Sequence, residues 1–207
     1  EPPGKTGRFS RSDFPALSID RSRITLLHEV GTLESGYPIF EVWSTRPPKL
    51  LRRIPLLPRA DSDAWHDVNM LAPEVVAAVK GQLVEVNRIL VQGGYRSMES
   101  FFDFSDWKTV VAEKWGMRVA VEPMKVPSDG DIFRVSTLQG ERDLLVLKLP
   151  RVIRPMGDDP MSSCGNAPYP SQGWYDPTLR ISVIRLINPG GSPDGCDLPE
   201  EWILKGL

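Results

Sequence analysis

Pro73-Glu74-Val75-Val76-Ala77-Ala78-Val79-Lys80-Gly81-Gln82-Leu83-Val84-Glu85-Val86-Asn87-Arg88-Ile89-Leu90-Val91-Gln92 carries the clearest helical periodicity in the chain. Val75, Val76, Val79, Leu83, Val86 and Leu90 recur at three- and four-residue spacing, while Lys80, Glu85 and Arg88 fall on other faces. Pro73 suits a first helical turn, where its missing N–H has no partner to lose, and Gly93-Gly94 supplies a stop. Gly81 inside the run costs about 1 kcal/mol relative to alanine, so a close packing contact is expected there. Downstream, Asp106–Trp115 reads as a second, shorter helix. Ser105 is its N-cap, Asp106 complements the dipole, Trp107, Val110, Val111 and Trp115 line one face, and Gly116 ends it.

Strand patterns flank this pair on both sides. Ile24–Val30 and Tyr37–Ser44 are β-branched and aromatic runs, joined through Gly31 to Gly36. Arg118–Val121, Asp131–Thr137, Asp143–Leu149 and Arg180–Ile187 follow the helices, and Leu138 to Arg142 is short enough to make a hairpin of the middle two. Strands, then two helices, then strands predict an α+β fold. The expected architecture is a mainly antiparallel sheet with helices at 73–92 and 106–115 packed on one face, long proline-rich loops and extended termini. Residues 24–187 are expected to form one domain, with 1–23 as an extended arm and 188–207 as a tail ending in the apolar hook Trp202, Ile203, Leu204 and Leu207.

Composition narrows the function. The 207 residues hold 25 Lys and Arg against 27 Asp and Glu, a balance that argues against a general nucleic-acid binder. The longest helix-like stretch contains Glu, Lys, Gln and Arg, so no transmembrane segment is expected. A chain of this length buries roughly 70% of its unfolded surface, so neither a metal nor a disulfide is obligatory. Cys164 and Cys196 have no CxxC partner. A disulfide between them would close a loop of about 30 residues and contribute roughly 3–4 kcal/mol, and two free thiols account for them equally well. The residues assign no compartment and call for no cofactor.

Three stretches are candidates for chemistry or contact. The run from Arg46 to Arg59 contains five basic residues, four prolines and no acid. Read as structure, it is a crossover loop that packs its leucines and leaves its arginines wet. Read as a surface, it meets an acidic partner through Arg52 and Arg53. The second stretch, 168–177, sets Tyr169, Trp174 and Tyr175 among prolines and glycine; such a loop stacks on a ligand or a neighbouring subunit, or buries its own rings. The third, Asp61, Asp63, His66 and Asp67, has metal-like side chains at a spacing that fits no established loop, and a solvated turn explains it as well. With only two histidines in the chain and no Gly-x-Ser-x-Gly elbow, nucleophilic schemes have little to draw on.

The expectation is therefore a non-enzymatic structural or interaction protein. It would be a subunit of a homo- or hetero-oligomer, meeting other subunits through its arm, proline-rich loops and tail, with Arg52, Arg53, Tyr169, Trp174, Tyr175 and Trp202 as anchors. One alternative is a carbohydrate-binding module or carbohydrate-active enzyme using 168–177 with a carboxylate such as Asp176. Another is a small metal-assisted hydrolase around Asp63, His66 and Asp67.

Overall fold

Side-chain alternation, more than helical periodicity, organises this chain. The computed structural model describes residues 9–30, 37–57, 72–103, 110–125, 130–150, 152–156, 159–166, 168–187 and 201–206. They fall into two compact units, Glu1–Met98 and Glu99–Leu207.

The first unit contains β1 (Ala16–Leu17), β2 (Arg23–Val30), β3 (Tyr37–Thr45), β4 (Pro48–Pro55), α1 (Pro73–Gly93) and β5 (Arg96–Ser97). Its strands form one antiparallel sheet in the order β4-β3-β2-β1-β5. The Ile39-Phe40-Glu41-Val42-Trp43 run lies in β3 and sends Phe40 and Val42 to the face that α1 covers. There Val86 and Leu90 pack with Phe14, Ala16, Ile54 and Tyr95. Burying one such large side chain contributes about 1.5–3 kcal/mol, so this face holds the unit together. The helix ends at Gly94, which is left-handed (φ 55°) and donates its N–H to the Leu90 and Val91 carbonyls. From Phe9 onward, the segment expected as an arm belongs to this unit: Phe14, Ala16 and Leu17 are buried, and β1 lies between β2 and β5.

Gly81 departs from its expected role. A Cβ built there meets nothing within 4 Å, so no packing contact requires a glycine. Gly81→Ala should therefore stabilise the unit by about 0.5–1 kcal/mol, measured by chemical denaturation. A loss of stability would show that the position is packed after all.

The second unit contains β6 (Glu99–Asp103), β7 (Val110–Ala112), β8 (Met117–Pro123), β9 (Gly130–Thr137), β10 (Asp143–Pro150), β11 (Val152–Met156), β12 (Asp159–Asn166), β13 (Tyr169–Asp176), β14 (Ile181–Ile187) and β15 (Glu201–Gly206). Two four-stranded antiparallel sheets, β10-β9-β8-β7 and β15-β14-β13-β6, share a core, and β11 pairs with β12. One sheet contributes Met117, Val119, Phe133 and Val135 to that core; the other contributes Phe101, Phe102, Tyr169 and Ile184. Gly173 on β13 is required by close approach, since an added Cβ would lie 2.6 Å from Phe102 Cδ1 and 2.7 Å from Phe101 Cε1.

The expected fold class is overturned. The chain is mostly β and sandwich-like, with α1 its one α-helix among the described residues. Of the second expected helix, 106–109 lie outside the described residues, 110–112 are β7, and Glu113–Trp115 is a single 3₁₀ turn closed by Gly116 at φ 63°. The i, i+4 spacing of Val111 and Trp115 fits a helix face, but here it arises from a short strand followed by one tight turn. The proline-rich stretch 150–178, expected among the long loops, is also corrected, because it holds β11, β12 and all of β13. Its prolines mislead for a specific reason. Pro155 and Pro170 sit at register shifts, where a ladder hydrogen bond is already missing.

Candidate functional site

The basic run becomes β4, an edge strand whose two ends are Pro48 and Pro55. Successive residues of a strand point to opposite faces, so neighbouring Arg52 and Arg53 separate. Arg52 reaches over the α1 side and meets Glu85 at 2.6 Å, and Arg88 meets the same carboxylate at 2.7 Å. The Arg88 hydrogen bond, then that of Arg52, hold the Glu85 carboxyl below its ordinary range against the opposing effect of burial. Arg53 projects to the other face and meets Glu41.

Glu41 is the most unusual group in the first unit. It is a carboxylate 2% exposed, on a face that also buries Ile24, Leu26 and Ile39. Burial alone raises its pKa. Three donors reverse that effect. His28 Nε2 lies 3.4 Å from Oε2, Trp43 Nε1 donates to Oε2 at 2.8 Å, and Arg53 Nε donates to Oε1 at 2.7 Å. Together they bring the pKa down from 4.5 to about 2. The carboxylate is therefore an anion at neutral pH. This arrangement ties β2, β3 and β4 together through His28, Trp43 and Arg53. Sequence reading singled out Arg53 and missed Glu41 and His28. The available signal was a charged residue inside the apolar run 39–43, at an alternation position shared with Ile39 and Trp43.

The aromatic stretch 168–177 is strand β13, so its rings also divide between faces. Tyr175 points into the sandwich, 9% exposed, with its ring edge-on to Trp115 (5.5 Å, 86°) and to Phe101 (6.2 Å, 63°). Tyr169 is buried in the same core. Trp174, also 9% exposed, lies on the opposite face and stacks on Trp202 of β15 at 5.4 Å and 23°. The two indoles meet across β14, whose buried Val183 lies opposite Trp174 in the register. Trp174 and Tyr175 thus do not form one platform. The Asp176 carboxylate accepts the Leu179 N–H at 2.7 Å in the turn that follows β13.

On the outer face of the other sheet, Ala120 and Ser136 are short residues among long charged ones. They leave a polar cavity of about 530 Å³. Arg134 crosses it, paired with Asp143 and, at 3.6 Å, with Glu122.

No known protein family, curated protein or solved structure matches this chain.

The remaining candidates lie outside the described residues. Asp61, Asp63, His66, Asp67 and Cys196 are among them; Cys164 is placed on β12 opposite Arg154, and its side chain is not described. Among the described residues, no helix is long and apolar enough to cross a membrane. Nor do three or more His, Cys, Asp or Glu side chains come together there as a metal site.

Proposed function

We propose that this chain is a non-enzymatic interaction protein, a subunit of a larger assembly that receives a neighbour at the free edge of β15. The observation that carries this reading is the contrast between two edge strands. An edge strand offers unpaired N–H and C=O groups to any extended segment, and natural sheets blunt such edges with prolines and charges. The edge strand β4 is blunted in this way, with Pro48 and Pro55 at its ends and Lys49, Arg52 and Arg53 along it. On β15 the charges, Glu201 and Lys205, flank the centre and leave it apolar. Its centre is Trp202-Ile203-Leu204, all half-buried, and no proline interrupts it. Among the described residues it has a strand neighbour on one side only.

Adding a strand to an exposed edge supplies main-chain hydrogen bonds for affinity and alternate side chains for specificity. The other expected contact groups weigh less here: Arg52 and Arg53 are committed to Glu85 and Glu41, and Tyr169 and Tyr175 are core. Trp202 is half-buried on β15 and stacks on Trp174.

Light scattering behind a sizing column, at two concentrations and two salt levels, tests the reading. A discrete oligomer is expected. A monomer under every condition would overturn the proposal.

A further inference from the structure

We infer that the neighbour is a second copy of this chain, paired antiparallel through β15 about a two-fold axis at Ile203. This rests on the interaction reading above and names its partner. The argument lies in the order of five residues, Glu201-Trp202-Ile203-Leu204-Lys205. When two such strands run antiparallel with Ile203 opposite its own counterpart, every other residue meets a complement. Glu201 stands opposite Lys205 of the second copy, and Lys205 opposite its Glu201. Trp202 stands opposite Leu204, and Leu204 opposite Trp202.

The unpaired groups fit this arrangement. Glu201 and Lys205 are both exposed, and neither has an ion-pair partner among the described residues. Directly opposed side chains on antiparallel strands have Cβ atoms about 4.5–5.5 Å apart, close enough for these charges to pair. Faces also match. Ile203 packs toward the sandwich core, so Glu201 and Lys205 share its side, while Trp202 and Leu204 share the other side with Trp174. Pairing would continue the Trp174–Trp202 stack onto Leu204 of the second copy. Because the same patch is used by both partners, the contact at this edge closes as a dimer.

The charge order supplies a test that separates pairing from misfolding. Glu201→Lys alone sets lysine opposite lysine, and Lys205→Glu alone sets glutamate opposite glutamate. Each purified variant should dimerise about tenfold more weakly than wild type, by sedimentation or light scattering. An equimolar mixture of the two should recover the wild-type dimer, since one lysine then faces one glutamate at both ends of the paired strands. If both variants keep the wild-type oligomer, or the mixture does not recover it, self-pairing at β15 is wrong and the broader interaction reading stands. A wild-type chain that is monomeric throughout overturns both.

Discussion

Tyr175→Ala should lower the free energy of unfolding by about 3–5 kcal/mol, the range for removing a large aromatic ring from a packed core. Reading 168–177 as an exposed loop leads to the reverse expectation, that its rings can be lost with almost no change in stability. The ring of Tyr175 is held edge-on by Trp115 and Phe101, each from a different segment of the second unit, and truncation would leave a cavity between them. The neighbouring glycine sharpens the effect, because Phe101 and Phe102 already press against Gly173 and have little freedom to collapse into the space. Tyr175→Phe keeps the ring and its contacts, so it should cost less than about 1.5 kcal/mol. Urea denaturation of the three proteins settles the matter. Equal losses for alanine and phenylalanine would show that the phenol, not the ring, is what the core needs.

A second large effect concerns acid. Glu41 has a pKa of about 2 in the folded chain against 4.5 for its ordinary value. Its folded-state pKa is depressed, so its contribution is fully present above about pH 4.5 and is lost as pH falls toward 2. The difference corresponds to roughly 3 kcal/mol. Glu41→Gln should remove a similar amount at neutral pH, since it discharges the one acceptor shared by Arg53, Trp43 and His28. The diagnostic result is the slope. Between about pH 5 and pH 2 the wild-type stability should fall more steeply than that of the glutamine variant, measured by chemical denaturation at each pH. Parallel curves would show that Glu41 titrates alike in the folded and unfolded chain.

Elements with one strong period are legible in the sequence. The 3.6-residue spacing from Val75 to Leu90, bracketed by Pro73 and Gly94, marks α1, and the alternating runs at 24–30, 37–44, 131–137 and 143–149 coincide with β2, β3, β9 and β10. Pairing is not legible in the same way. Phe101 and Phe102 carry no instruction to meet Gly173 some seventy residues later, and Glu41 lies beside His28 and Arg53 only through the register of three strands. The 168–177 segment reads as a loop because proline and glycine mark turns in isolation. Pro170 at a bulge and Gly173 under an aromatic ring are instead compatible with a strand that has neighbours on both sides. Arg53 stands out as a basic residue, but an acid twelve positions away assigns its role.

The opposed arginines of β4 have a consequence for how that strand finds its place. Pairing in a sheet has a period of two, so a slip of one residue exchanges the faces of a whole strand. The pairing of β4 with β3 shifts register between Val42 and Trp43, so the backbone gives weak instruction against a slip. The two carboxylates supply it. A one-residue slip would take Ile54 out of the core under α1, and a two-residue slip, which keeps the faces, would draw Arg52 away from Glu85 and Arg53 away from Glu41. The two-residue slip is thus penalised twice, once on each side of the sheet. Arg52 and Arg53 act as a two-sided alignment key, and a strand rich in proline acquires through charge the precision that its backbone does not provide.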